Sequence, residues 1–236
     1  MWCITAKHLL RFGVKPQFSA ARIGDMSGEK HGSYGTGREA LLAATVHVVA
    51  RKGLRGLTFR AVAERAGVNN TLVVHHFGKR DALIGAALEW SVQQSIGLSR
   101  LEALPATEEE FCRSILSLIE DNPDIQIFQY EMILESRRRP ELAGPVQHLY
   151  ESYIAALSGG LERIGFGGQD GAAQAAFAAL DGLVLQLLAG ANTKGVEAAI
   201  RYLWAALGGH VNTPAVSAGR YAPPHGTPAA SDPYSI

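Results

Sequence analysis

The stretch AGVNNTLVVHHFGKRDAL, residues 66–83, holds the side chains whose types and spacing most suggest chemistry. Its adjacent histidines, His75 and His76, resemble a metal pair at first sight. Neighbouring residues on a helix point about 100° apart, so the two rings do not converge on one ion as residues four apart do. We therefore expect no metal site and no cofactor, and we expect His76 to pack inside a small core.

The charge distribution favours a surface for nucleic acid. Residues 38–90 carry eight Lys and Arg against four Asp and Glu, whereas residues 91–210 carry eight against fifteen. The formal net charge of zero therefore conceals a basic N-terminal third and an acidic remainder. This asymmetry indicates that one end of the chain meets a polyanion while the other end has a different task.

The elements that would position this surface are two short helices joined by a tight turn. Thr58 is a good N-cap for the first helix, and Gly67 supplies the backbone freedom that the turn needs. This is the helix-turn-helix arrangement, whose second helix enters the major groove of DNA. The small core that fixes the crossing of the two helices is expected to comprise Phe59, Val62, Leu72 and Phe77.

The remaining sequence also has helical periodicity, and no strand pattern stands out, so we predict an all-α fold. An N-terminal three-helix domain, residues 38–84, precedes a larger helical domain, residues 85–210. Residues 1–37 are expected to form a flexible leader in which Met26 is an alternative start. Residues 211–236 are rich in Pro, Ala and Ser and are expected to be disordered.

Several other classes of protein are disfavoured. No apolar run reaches the roughly 18 residues of a membrane helix, and the first residues make a poor signal peptide. The two cysteines, Cys3 and Cys112, lie far apart, which favours a reducing cytoplasm over a disulfide framework. The chain has no nucleophile elbow, phosphate loop or metal-spaced Cys/His cluster, so we do not expect an enzyme.

Between Arg38 and about Leu88 the motifs follow one another in a specific order: REALLAA, then LTFRAVAERAGV, then HHF with a basic residue before AL. In these motifs the chain resembles the DNA-binding domain of the TetR (tetracycline-repressor-type) family of transcriptional regulators, over about fifty residues without a gap. The resemblance implies a three-helix DNA-binding domain followed by a helical domain that binds a ligand and forms a homodimer.

The resemblance also implies roles for single residues. Asn70 and Thr71 fall at positions that face base edges, where Asn bonds adenine bidentately and a Thr methyl contacts a thymine methyl. Val74 stands where the family often has a tyrosine, so a phosphate contact is replaced by an apolar one. The remaining positions contact the DNA backbone or cap the recognition helix. The expected DNA-contact set is Thr58, Asn69, Asn70, Thr71, Val74, His75, Lys79 and Arg80.

For the larger domain the resemblance implies a dimer built on the last two helices. It also implies a pocket for a small hydrophobic or aromatic effector, which would release the repressor from a palindromic operator. The expected interface residues are Phe177, Leu180, Val184, Leu187, Leu188, Tyr202 and Trp204. The expected pocket residues are Trp90, Phe111, Ile115, Phe128, Met132, Tyr150, Tyr153 and Gln186.

Two other functions stay open from the sequence. One is a constitutive DNA-binding regulator, activator or architectural protein, with a filled core and no ligand. The other is a helical interaction protein that has lost DNA binding, which the departure at Val74 makes conceivable.

Overall fold

The structure, a computed structural model, describes residues 34–166 and 171–209, and these residues form α-helices joined by short turns without any strand. The all-α prediction is therefore confirmed. Most of the predicted leader and the whole predicted tail lie outside the described residues. The helices are α1 (Tyr34–Lys52), α2 (Phe59–Ala66), α3 (Asn70–Phe77), α4 (Arg80–Ser99), α5 (Glu108–Glu120), α6 (Pro123–Glu135), α7 (Ala143–Arg163), α8 (Ala172–Leu188) and α9 (Thr193–Gly209).

The helix ends follow local chemistry that is visible in the sequence. The Thr107 hydroxyl accepts a hydrogen bond from the Glu110 amide at 3.3 Å, as expected of an N-cap. Pro145 lies in the first turn of α7, where a missing amide hydrogen costs nothing. The three-helix domain was predicted to begin at residue 38, but α1 already begins at Tyr34, inside the stretch assigned to the leader.

The helix α4 joins the two parts of the chain, because it begins beside α3 and extends along α5, α6 and α7. It passes through the predicted domain boundary at residue 84 without interruption. Its residues Leu83, Ile84 and Ala87 are fully buried, and they belong to one core cluster that extends from α1 to α9. The helix α6 packs against both α1 and α4, so the N-terminal part formed by α1, α2 and α3 and the larger part share a core.

The described part of the chain shows neither a membrane-spanning helix nor a cluster of metal-binding side chains. Within residues 34–166 and 171–209, no helix combines the length and the apolar character needed to cross a membrane. The same residues contain no cluster of three or more His, Cys, Asp or Glu arranged to hold a metal ion.

Candidate DNA interface and its connection to the second domain

The turn between α2 and α3 is fixed by Gly67. This residue lies in the left-handed region at φ 69°, and its amide donates to the carbonyls of Ala63 and Glu64. Asn69 then caps α3, since its side-chain oxygen accepts from the Thr71 amide at 2.9 Å. The sequence predicted the Gly67 turn and the family resemblance implied the Asn69 cap, and together they hold α3 at a defined angle to α2.

One face of α3 is exposed, and the opposite face is buried. The exposed face holds residues one, three or four positions apart, which share one side of a helix: Asn70, Thr71, Val74 and His75. Val74 is 43% exposed. Val73 on the opposite side is completely buried. The exposed face therefore presents an amide, a hydroxyl, a methyl surface and an imidazole, which are groups that can meet base edges and phosphates.

At the start of α2, the Thr58 hydroxyl oxygen accepts a hydrogen bond from the Ala61 amide at 3.1 Å. Thr58 is exposed, and its hydroxyl hydrogen stays available for an external acceptor. The residue can thus cap α2 and donate to a phosphate at the same time.

Lys79 and Arg80, adjacent in sequence, have different environments. Lys79 precedes α4 and is exposed. Arg80 is half-buried, and its guanidinium donates to the backbone carbonyl of Leu57 at 3.2 Å and to that of Leu54. The sequence did not suggest these hydrogen bonds. Through them Arg80 anchors α4 to the connection between α1 and α2.

The same connection is bound from the other side by α6. The Leu54 amide donates to Glu131 Oε1 at 3.1 Å, so the peptide groups of Leu54 contact both α6 and α4. Two helical turns before Glu131 on α6, Asp124 Oδ2 lies 2.7 Å from His47 Nδ1, and Asp124 Oδ1 lies 3.3 Å from Arg51 Nη2. The acidic face of α6 thus binds the N-terminal domain at two points, on α1 and on the connection that follows it.

The opposite face of α6 points into the larger domain and carries buried amides. Gln126 Nε2 donates to Ser95 Oγ at 2.8 Å, and Gln129 Nε2 donates to Ser91 Oγ at 3.1 Å, which ties α6 to α4. The Tyr153 hydroxyl donates to Gln129 Oε1 at 2.9 Å, which adds α7. Because these groups are buried and satisfied, they fix one relative position of the three helices.

A small cavity of about 30 Å³ adjoins this network, bounded by α4, α5, α6, α7 and α8. Asp181 of α8 lines it, and the Tyr130 hydroxyl donates to Asp181 Oδ1 at 2.8 Å. Burial raises the pKa of Asp181, while the hydrogen bond from Tyr130 lowers it in part. Burial also raises the pKa of Tyr153 to about 12 and raises that of Tyr130, which faces the Asp181 charge.

Comparison with known proteins identifies the family. Residues 41–87 match the model for bacterial regulatory proteins of the tetR family, and residues 106–207 match the tetracyclin repressor-like C-terminal domain. The two models together cover more than half of the chain. The chain belongs to the TetR family. It is a helix-turn-helix transcriptional regulator of that family.

Individual relatives agree with this assignment. The HTH-type transcriptional repressor Rv3405c of Mycobacterium tuberculosis is 41% identical over 58 residues, which cover 23% of this chain and 31% of the repressor. The matched region spans about a quarter to a third of the length of such curated relatives. Similarity at this level is confined to one part of those proteins.

Solved structures extend the similarity over most of the described fold. A TetR-family member from Streptomyces coelicolor A3 is 26% identical, with a TM-score of 0.55, over 71% of this chain and 97% of that one. The multidrug binding protein EbrR, complexed with imidazole, is 25% identical, with a TM-score of 0.52, over 70% of this chain and 93% of that one.

In this TetR-family chain the residues predicted to form a pocket do not all meet. Ile115 and Tyr153 line the cavity, together with polar residues that the sequence did not single out, including Ser95 and Asp181. Gln186 is exposed on α8. The other five pack elsewhere in the larger domain, either fully buried (Phe111, Phe128, Met132) or half-buried (Trp90, Tyr150).

The single chain already buries three of the predicted dimer residues. Phe177, Leu180 and Val184 are at most 7% exposed in the single chain, so they belong to its own core and not to an open surface. Apolar residues three and four apart mark a buried face, but the pattern does not reveal what buries it. Tyr202 is 78% exposed, and Leu185, which was not among the predicted residues, is 50% exposed. Leu187, Leu188 and Trp204 are half-buried, and the Trp204 ring packs 4.9 Å from Phe111.

Proposed function

We propose that this TetR-family regulator is a homodimeric repressor that binds a palindromic operator and is released by a small molecule. The observation that carries the proposal is the exposed polar face of α3, held by Gly67 and by the Asn69 cap on a fully buried Val73. A rigid helix with a polar outer face is the geometry that helix-turn-helix proteins insert into the major groove.

A dimer is supported by apolar surface on the last two helices. Leu185 on α8 is 50% exposed and Tyr202 on α9 is 78% exposed, which a single chain leaves unpacked. Two-fold symmetry would pair the same surface on both copies and would place two α3 helices on one side of the DNA. Such an arrangement reads two half-sites about one helical turn apart, or slightly more.

Release by a ligand is supported by the two faces of α6. Its inner face carries Gln126 and Gln129, which hold α4, and its outer face carries Asp124 and Glu131, which hold the DNA-facing domain. A ligand that prefers a different spacing of α4, α6 and α8 would shift the connection at Leu54, and with it α3. The ligand then acts by stabilising the state that does not fit the operator.

Among relatives, the Mycobacterium tuberculosis protein is a transcriptional repressor and EbrR is a multidrug binding protein. Both properties suit the proposal for this chain. The cavity beside Asp181 is small, about 30 Å³, whereas a larger cavity of about 290 Å³ lies between α4 and α7. The small volume beside Asp181 is the observation that supports the second candidate, a constitutive regulator without a ligand.

Selection of bound fragments from random-sequence DNA with the full chain tests the DNA-binding part. We expect an enriched inverted repeat, and we expect sedimentation of the complex to give two chains per site. Enrichment without symmetry, or a monomer on the DNA, would contradict a homodimeric repressor. A fluorescence-anisotropy assay on the selected site then measures release by added compounds, and a site that no compound releases supports the constitutive regulator.

A further inference from the structure

Asp181 is a carboxylate that lines the cavity. Its only side-chain hydrogen bond among the described residues comes from the Tyr130 hydroxyl, at 2.8 Å to Oδ1, and that hydroxyl also lies 2.9 Å from the Asp181 carbonyl. The ion pairs of residues 34–166 and 171–209 do not include Asp181. A partly desolvated negative charge without a counter-charge is unfavourable, and burial accordingly raises its pKa.

Two aromatic rings line the cavity together with this carboxylate. Tyr153 stacks on Phe177 with ring centroids 5.0 Å apart at 18°, and both residues line the same cavity. Tyr150 meets Phe177 edge-to-face at 6.1 Å, and burial together with the Asp181 charge raises the pKa of Tyr150. The faces of such rings attract organic cations, and Tyr and Phe side chains both do so.

These groups together select one class of ligand. A compound with a fixed positive charge supplies the counter-charge that Asp181 lacks and contacts the rings of Tyr153 and Phe177. A neutral compound of the same shape gains only the ring contacts, and an anion is repelled by Asp181. We propose that the cavity beside Asp181 binds a small organic cation, and that this cation is the effector of the regulator.

The second half of this inference rests on the proposed function, and it refines the hydrophobic or aromatic effector expected from the sequence. A cavity of about 30 Å³ holds about one water molecule, so the cation must displace side chains to enter. The Tyr153–Phe177 stack joins α7 to α8, and Tyr130 joins α6 to α8. Entry of the cation therefore separates α8 from α6, the helix that holds the DNA-facing domain.

Isothermal titration calorimetry on the full chain with three compounds of matched size tests the inference. N-methylpyridinium is the cation, toluene is its neutral isostere, and benzoate is the anion. We expect N-methylpyridinium to bind at least about tenfold more tightly than toluene, because a close charge pair in a partly desolvated site contributes strongly, and we expect benzoate not to bind. Equal binding of toluene, stronger binding of benzoate, or no binding of the cation at millimolar concentration would overturn the cation site.

Asp181→Asn keeps an acceptor for Tyr130 and removes the charge. We expect it to lower the affinity for N-methylpyridinium about tenfold or more and to leave the affinity for toluene unchanged. Asp121→Asn is the matched control, since Asp121 is exposed at the end of α5 and its side chain takes part in none of the ion pairs described for residues 34–166 and 171–209. Unchanged affinity for the cation in Asp181→Asn would remove the basis of the proposal.

The fold of Asp181→Asn is checked by its thermal unfolding, and Tyr130→Phe serves as a second variant. Tyr130→Phe frees the carboxylate from its hydrogen bond, so we expect it to retain or strengthen cation binding, and loss of cation binding would count against the site. Fluorescence anisotropy on the selected operator distinguishes binding of the cation at the cavity from its action as the effector. Cation binding that needs Asp181 but leaves the operator bound supports the site and rejects its role as the effector site, whereas a chain that binds no operator rejects the proposed function alone.

Discussion

The DNA-facing domain and the larger domain place their polar side chains on opposite sides of similar helices. On α3, Asn70 and Thr71 are exposed while Val73 is completely buried. On α6 and α7, Gln129 and Tyr153 are buried and hydrogen-bonded to each other at 2.9 Å. The first region can thus meet a large partner from outside, whereas the second arranges polar groups around an interior space.

This difference has a physical consequence. A polar group on the exposed face of α3 keeps its water until DNA arrives, so its removal changes binding and leaves folding almost untouched. A buried amide such as Gln129 has already exchanged water for protein partners, and removing one partner strands the other. Substitutions in the two regions should therefore separate into effects on binding and effects on stability.

The largest effect is expected where the two regions share a core. Phe128 of α6 is completely buried, and α6 packs against both α1 and α4. Truncation of a buried Phe costs about 3–5 kcal/mol, so Phe128→Ala should lower the unfolding temperature sharply. Calorimetry should show one transition that shifts as a whole. Two separate transitions would show that the regions fold independently, and Ile127→Ala, at an exposed neighbouring position, is the control.

Arg80 is the residue at which effects on binding and effects on stability should not separate, because it lies at the border between the two regions. Arg80→Met keeps the aliphatic stem and removes the hydrogen bonds to the carbonyls of Leu54 and Leu57. Hydrogen bonds from a charged group contribute about 1.5–3 kcal/mol, so we expect a stability loss of that order in urea unfolding. Operator affinity should fall on all sequences, because α4 loses its attachment to the connection before α2.

The dependence of DNA binding on salt distinguishes this attachment from a phosphate contact. If Arg80 bound a phosphate, its loss would reduce the slope of log K against log salt by about 0.9. Since its guanidinium is occupied by carbonyls, we expect the slope to stay unchanged in Arg80→Met. Arg80→Lys is the control, as it keeps the charge without the planar fork, and a fully stable Arg80→Lys would contradict the attachment.

The sequence was informative about the first region because its signals are local. Thr58, Gly67 and Asn69 act on amides or carbonyls two to four residues away, and each has the capping contact that its type predicts. The end of α6 shows the limit of such signals. The stretch DIQIFQYEMILESRRR, residues 124–139, contains no Gly or Pro, but α6 ends at Glu135 and the next residues form turns before Pro140, which disfavours helix at the preceding residue.

The interior of the second region was not predictable because its partners are distant in sequence. Gln126 and Ser95 are 31 residues apart, Gln129 and Ser91 are 38 apart, and Tyr130 and Asp181 are 51 apart. Only packing brings them together. Asp181 itself lies in a helix rich in Ala and Leu, and nothing beside it in the sequence indicates that it lines a cavity.

A moderate effect, on base discrimination, is expected for Asn70 on the exposed face of α3. If its amide bonds adenine bidentately, Asn70→Ala should relax discrimination at one operator position by about 1–3 kcal/mol, measured as relative affinities for sites with that base replaced. Its stability should change by less than about 0.5 kcal/mol. Asn69→Ala is the contrasting neighbour, because it removes the α3 cap and should cost about 0.5–2 kcal/mol of stability. A variant at Asn70 that discriminates like the wild type would show that another residue reads that base.

The smallest effect is expected at Lys79, whose side chain can contribute to DNA binding through its charge alone. Lys79 is exposed and its side chain does not cap α4, so Lys79→Gln should leave stability unchanged. If the ammonium neutralises one phosphate, the salt slope of operator binding should fall by about 0.9, equally on specific and unrelated DNA, because phosphate contacts carry no sequence information. Lys194→Gln, exposed at the start of α9, is the matched control. A slope that changes only on the specific site would instead place Lys79 at a base edge, and the division between readout by α3 and attraction by its flanks would not hold.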